Sequence, residues 1–160
     1  KVEYWNYVEV NVFSAIISHF SIEFLDYRLY HLLDVLKTQT EYHYTRASEY
    51  YLSALRAGVK NYSIQGHYDK AEKLAQKTLE VMNAFPELSM KLTQFIALSM
   101  ERSCNFLRQN DVYGLELAKH IFATLDHLEK TSQNQLLIRL REDFFSKVTQ
   151  LNKTGQPLEQ

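Results

Sequence analysis

Arg46, Glu49, Ser53, Arg56 and Lys60 recur at spacings of three and four residues, so on a helix they share one face. Beside them Tyr51, Ala54, Leu55, Gly58 and Tyr62 repeat at the same spacing and form an apolar stripe. A groove with cationic, hydroxyl and amide donors next to aromatic walls suits an extended peptide, because it can satisfy unpaired backbone groups while pocketing side chains. Tyr7, Asn11 and Ser14 on a first helix, and Gln94, Ser99 and Arg102 on a fifth, can extend that lining. Asn11 stands out, being polar inside Val8-Glu9-Val10-Asn11-Val12-Phe13. For each of these residues the competing reading is a solvated helix face.

Catalytic chemistry finds no comparable set. The chain has no phosphate-cradling glycine loop, no H-E-x-x-H, no paired cysteine motif and no glycine-flanked serine nucleophile. His19, His31 and His43 lie 12 residues apart but fall on separate helices, which argues against a metal or catalytic role. His120 and His127 share one helix face two turns apart and read as rim residues, although any of the six histidines could titrate between pH 5 and 8. The single cysteine, Cys104, reads as a small buried helix residue and cannot form an internal disulfide. The expectation is a non-enzyme with no cofactor and no metal. A small hydrolase on a helical frame stays a minor alternative, since no nucleophile and base are visible as a pair.

The elements that would position these side chains follow from composition and periodicity. At 160 residues, 46% of them apolar, with 4 Gly and 2 Pro, the chain can bury a core and is poor in helix breakers. A formal charge of −1 argues against a strongly nucleic-acid-binding surface on this chain. No segment reaches the ~18 uninterrupted apolar residues of a membrane span, and the nearest, Val8 to Phe20, is interrupted by Glu9, Asn11 and His19. The absence of paired cysteines and of a signal peptide favours a cytoplasmic setting. The chain begins at Lys1 rather than Met, which reads as an excised fragment or one lacking its N-terminal part.

Seven helices are expected. The first, from Val2 to about His19, carries Trp5, Val8, Val12, Ala15 and Ile16; the second is capped by Ser21, carries Leu25, Leu29, Leu32, Leu33 and Leu36, and ends in Lys37-Thr38-Gln39-Thr40. A third, about Glu41 to Gln65, turns at Gly66 to Tyr68 into a fourth, Tyr68 to about Asn83, with Ala71, Leu74, Ala75, Thr78, Leu79 and Met82 inward. Pro86 opens a fifth reaching about Arg108. Gln109-Asn110-Asp111 turns into a sixth, about Val112 to Glu129, with Gly114, Leu117, Ala118, Ile121, Phe122 and Leu125. Ser132 with Gln135 reads as a capping box for a seventh, Gln133 to about Leu151, bearing Leu136, Leu137, Leu140, Phe144 and Val148. Residues 152–160 read as a flexible tail after a domain of residues 1–151.

The hairpin from Tyr51 to Phe85 resembles the tetratricopeptide pattern at Gly66, Tyr68, Ala71, Ala75 and Leu79, where small residues let helix backbones approach. A shift of 43 lays Ala71 on Gly114, Leu74 on Leu117, Ala75 on Ala118, Leu79 on Phe122 and Met82 on Leu125. A shift of 46 the other way lays Leu29, Leu33 and Leu36 on Ala75, Leu79 and Met82. The expected fold is therefore all-α, a right-handed tetratricopeptide-like solenoid of three helix pairs and a closing helix, with a period longer than the usual ~34 residues.

The first two helices carry a more specific likeness. Glu3-Tyr4-Trp5-Asn6-Tyr7-Val8-Glu9-Val10-Asn11-Val12-Phe13 followed by Phe20-Ser21-Ile22-Glu23-Phe24-Leu25 resembles the start of the C-terminal regulatory region of the Rgg/MutR (RRNPP-type) transcription regulators, and Tyr113-Gly114-Leu115-Glu116-Leu117-Ala118 resembles a later run of that family. The resemblance spans most of Val2 to Val148 and rests on order and spacing. It implies a cytoplasmic quorum-sensing regulator that binds a short re-imported signalling peptide in the concave groove and forms a homodimer through the repeat domain. Promoter DNA would be bound only through an N-terminal helix-turn-helix domain absent from this chain. It also implies that Asn11, Arg46, Arg56 and Arg102 hold peptide backbone and carboxylate. Asn6 and Val12 depart from the family pattern. A function of a different class, a tetratricopeptide-like scaffold that binds a protein partner constitutively, is the alternative.

Overall fold

The computed structural model describes residues 6–42, 46–85, 92–131 and 135–158. Among them the chain is all-α, with α1 (Tyr7–Ile16), a short 3-10 turn (Ile17–His19), α2 (Ile22–Tyr42), α3 (Arg46–Ile64), α4 (Tyr68–Ala84), α5 (Leu92–Arg108), α6 (Val112–Thr131) and α7 (Gln135–Leu151). No described residue is in a strand, and no described helix is long and apolar enough to cross a membrane. The expected starts at Val2 to Trp5, at Pro86 and at the Ser132 capping box lie outside the described residues. The chain divides into two compact units, Lys1–Phe95 and Ile96–Gln160.

In the first unit, α1 begins with a capping box absent from the sequence reading. The Asn6 side chain accepts from the Glu9 backbone N–H at 3.0 Å, and Glu9 accepts from the Asn6 N–H at 2.7 Å. Two orphan donors are thereby satisfied at the start of the helix, whose first residue is Tyr7. The buried residues of this segment are Val10, Phe13 and Ile17. The stripe Val8, Val12 and Ile16 faces outward instead, at 63%, 52% and 41% exposure. The reason is that α1 packs on α3, and burying the 10/13/17 side leaves the 8/12/16 side uncovered.

Ser21 caps α2 as expected, its hydroxyl accepting from the Phe24 N–H. Leu25, Leu29, Leu32, Leu33 and Leu36 are all buried, and the helix continues through the polar run at 37–40 to Tyr42. A polar run without Gly or Pro does not by itself end a helix. In α3 the whole expected stripe, Tyr51, Ala54, Leu55, Gly58 and Tyr62, is buried. A Cβ on Gly58 would lie 2.6 Å from Leu29 Cδ2, so α2 and α3 meet there through a side-chain tip.

Gly66 takes φ +83° and ends α3. The His67 N–H reaches the Tyr62 carbonyl at 2.8 Å and the Gly66 N–H reaches Ser63 at 3.1 Å, the paired bonds of a Schellman motif. The returning α4 buries Ala71, Leu74, Ala75, Thr78, Val81 and Met82, with Leu79 only half-buried. Besides neighbouring helices, α1 touches α3 and α2 touches α4. A polar latch ties three of these helices: the Tyr62 hydroxyl donates to Asp26 at 2.5 Å, and Lys70 donates to the other carboxylate oxygen at 2.6 Å.

In the second unit, Asn110 with φ 56° closes the α5–α6 turn. Asp111 caps α6 by accepting from the Tyr113 N–H at 3.0 Å. Here the backbones themselves approach, since a Cβ on Gly114 would lie 2.7 Å from Leu107 N and 2.8 Å from Ser103 O. The buried Ser103 hydroxyl donates to the Gly114 carbonyl at 2.7 Å. The core of this unit joins Ile96, Met100, Cys104 and Leu107 with Leu115, Ala118, Ile121, Phe122 and Leu125, and with Leu137, Phe144 and Val148 of α7. Leu117 and Leu140 are half-buried and Leu136 is 53% exposed, because α7 turns its 137/144/148 side inward.

The segment read as a flexible tail is described to residue 158. Its Asn152 side chain donates to the Gln156 carbonyl at 2.9 Å and accepts from Thr154 N–H and hydroxyl, and Gly155 takes φ +75°. Leu158 returns to pack against the second core.

Candidate peptide-binding face

Alternate helices of the first unit carry most of the residues singled out for peptide binding. Tyr7 projects from the first turn of α1, 55% exposed, with its ring 4.3 Å from that of Tyr50 on α3. One turn further along α3, Ser53 accepts a hydrogen bond from the Gln94 amide at the start of α5, at 3.3 Å. Packing therefore brings together Tyr7, Tyr50, Ser53 and Gln94 from three helices, an arrangement of aromatic wall, hydroxyl and amide. Helical spacing places these pieces on faces; the contact of α1 with α3 sets Tyr7 beside Tyr50, and the start of α5 brings Gln94 to Ser53. Tyr50 was missed by the sequence reading, although it sits one residue before the buried Tyr51 and borders the 46/49/53/56/60 stripe.

The other candidates are placed as follows. Asn11 is exposed on α1, whereas the half-buried Ser14 spends its hydroxyl on the Val10 carbonyl at 2.9 Å. Arg56 is half-buried and Lys60 exposed, farther along the same stripe of α3. Arg46 is the first residue of α3, and its side chain lies outside the described residues. Ser99 and Arg102 belong to the second unit. Arg102 there sits 5.8 Å from the Phe106 ring and 6.0 Å from Tyr113, whose rings meet edge to face at 4.9 Å. That cation is engaged on aromatic faces, which favours packing as much as anion capture.

An apolar groove of about 480 Å³ lies beside this face, lined by Val8, Glu9, Val12, Phe13, Ile16, Phe20, Phe24 and Arg28. Its walls include the outward stripe of α1 and a ladder of rings, Phe13 on Phe20 at 5.6 Å and Phe20 on Phe24 at 4.5 Å. Arg28 lies 5.4 Å from the Phe24 ring and 5.5 Å from Tyr27. A volume of this size is large enough to take several apolar side chains of a partner. Read as a core stripe in the sequence, Val8, Val12 and Ile16 are instead the groove wall.

Electrostatic perturbation is concentrated at the latch. Burial by itself would raise the Asp26 pKa, but the hydrogen bonds from Lys70 and Tyr62 and the nearby positive charge outweigh it, and the carboxyl is held below its ordinary 3.8. Burial, then the hydrogen bond to Asp26, push the Tyr62 phenol well above its ordinary value, and burial with the same carboxylate raises Tyr30. Asp26 therefore contributes stability above pH 3.8 that is lost as pH falls through its lowered folded value, while Tyr62 contributes stability below pH 10 that is lost as pH rises beyond it. Strong shifts can mark active sites, yet these three groups hold one another, which suits a structural latch.

Among the described residues no cluster of three or more His, Cys, Asp or Glu could hold a metal ion. The chain matches no family model, no curated protein and no solved structure in the comparisons made.

Proposed function

We propose that this chain is the peptide-sensing and dimerising domain of a cytoplasmic quorum-sensing transcription regulator, a tetratricopeptide-like solenoid in which a short peptide lies along the face bearing Tyr7, Tyr50, Ser53 and Gln94. The observation that carries this reading is the juxtaposition of those four side chains from α1, α3 and α5. Aromatic rings supply contact area at low entropic cost, and the Ser53 and Gln94 groups can exchange their mutual bond for bonds to a peptide backbone. Asn11, Arg56 and Lys60 on the flanking turns extend the face. Occupancy would shift an equilibrium between conformations and so change how DNA-binding domains outside this chain are held.

Calorimetric titration with short hydrophobic peptides encoded beside the gene tests this reading. Saturable binding is expected, weakened about tenfold by Ser53→Leu or Gln94→Ala, the loss of about 1.4 kcal/mol of hydrogen bonding. No saturable binding to any of those peptides would overturn it.

A second reading, a scaffold that holds a protein partner constitutively, is favoured by the apolar groove at Val8, Val12, Ile16, Phe20 and Phe24. Exposed apolar surface of this kind commonly marks an interaction site. Val12→Lys should abolish partner binding on that reading and leave peptide affinity at Ser53 unchanged.

A further inference from the structure

The second unit contains a cavity of about 500 Å³ lined by Lys119, Phe122, Ala123 and Asp126 of α6, Arg141 and Phe145 of α7, and Leu158. The α6 residues fall at intervals of three, one and three and the α7 pair at four, so each helix contributes one face. Its walls are mixed: Phe122, Ala123, Phe145 and Leu158 form the apolar part, with the Phe122 and Phe145 rings 6.0 Å apart edge to face, and Lys119, Asp126 and Arg141 the charged part. Charge at the cavity is unbalanced. Asp126 is committed to Arg141 at 2.8 Å, and Arg141 also lies 5.4 Å from the Phe122 ring. Lys119, half-buried, makes no ion pair among the described residues and leaves one net positive charge at the wall. The remaining wall is Leu158, brought back by the Asn152 turn and packed against the core from only partial burial.

We propose that this cavity binds a small apolar carboxylate, its aliphatic part against Phe122, Ala123 and Phe145 and its carboxylate at Lys119, with the Leu158 segment as a displaceable wall. A volume of 500 Å³ is in the range of small-ligand pockets. An aliphatic chain beside a lone ammonium calls for an apolar ligand with one anionic end, because a neutral ligand would leave Lys119 uncompensated while a dianion would meet Asp126. A leucine already forms one wall, so a branched or linear aliphatic group fits the surface. This site is independent of the peptide face of the first unit.

Two sources share this chemistry, a medium-chain fatty acid and the free carboxyl end of a leucine-terminated peptide. The full chain, with its methyl groups isotopically labelled, is titrated with decanoate and with acetyl-Gln-Pro-Leu, and in parallel with decanol and the amidated peptide. Saturable shifts of the Ala123 and Leu158 methyl signals are expected with at least one carboxylate, at an affinity at least about fivefold above its neutral counterpart. The tighter of the two carboxylates identifies the source. Leu158→Ser should raise affinity about threefold by removing the competing wall, and Lys119→Met should lower it about tenfold at an unchanged thermal midpoint. Absence of saturation with both carboxylates, equal binding of the neutral probes, or an unaltered affinity in a folded Lys119→Met chain would overturn the proposal.

Discussion

The turn after α3 and the turn after α5 are closed by the same pair of backbone bonds. His67 N–H reaches Tyr62 and Gly66 reaches Ser63 in one, while Asp111 N–H reaches Phe106 and Asn110 reaches Leu107 in the other. The left-handed position is a glycine in the first, at φ +83°, and an asparagine in the second, at φ 56°. Beyond the turn they diverge. The second hairpin has a side-chain cap at Asp111, a backbone approach at Gly114 and a hydroxyl bond from Ser103 across it. The helix returning from the first turn has no side-chain cap at His67 and puts Ala71 in its first buried position. Turn geometry thus sets direction in both, and the residue a few positions later sets how closely the helices approach.

The strongest way to break that comparison is Gly114→Ala. Its added methyl meets backbone atoms that cannot rotate away, so the second unit should lose about 2 to 3 kcal/mol despite the better helix propensity of alanine. Gly58→Ala meets the tip of Leu29, a side chain that can change rotamer, and should cost less than about 1 kcal/mol. Urea unfolding followed by circular dichroism measures both, and equal costs would show that backbone approach is not what distinguishes the second hairpin.

Next in size is the latch of the first unit. Tyr62→Phe removes the hydroxyl that donates to Asp26 and should cost about 1.5 kcal/mol at pH 7. The partly exposed Lys70 contact adds less than about 1 kcal/mol. Because the Asp26 carboxyl is held low, stability of the unmodified chain should fall as pH drops below 3.8, and Asp26→Asn should flatten that part of the profile. An acid limb unchanged in Asp26→Asn would assign the loss to other carboxylates.

The smallest effects sharpen the turns themselves. Asn110→Gly should stabilise the second hairpin by about 0.5 kcal/mol, since glycine takes a left-handed conformation without the Cβ penalty, whereas Gly66→Ala should destabilise the first by about 1 kcal/mol. Thermal midpoints shifting in opposite directions are the expected result.

Much of this architecture was legible because helix periodicity is a local property. Leu25 to Leu36, Tyr51 to Tyr62 and Ala71 to Met82 repeat at the spacing that buries one face, and all of those stripe residues but the half-buried Leu79 are buried. Gly66 and Ser21 carry their roles in their own chemistry. The α1 stripe misled for a physical reason: Val8-Glu9-Val10-Asn11-Val12-Phe13 offers two apolar faces, and local spacing does not say which one a partner helix covers. Of the candidate site, the stripe through Ser53 was visible, but its neighbours Tyr7 and Gln94 come from 46 and 41 residues away.

By itself, the sequence determined the all-α class, most of the helix faces and both turn positions, because hydrophobic period, a left-handed residue and a cap act within one or two turns of chain. Only the tertiary structure decided that α1 turns Val8, Val12 and Ile16 outward, that Tyr62 finds Asp26, and that Leu158 packs against the second core. Each of those is a choice between faces or partners of similar local merit, settled by which surface a distant segment covers.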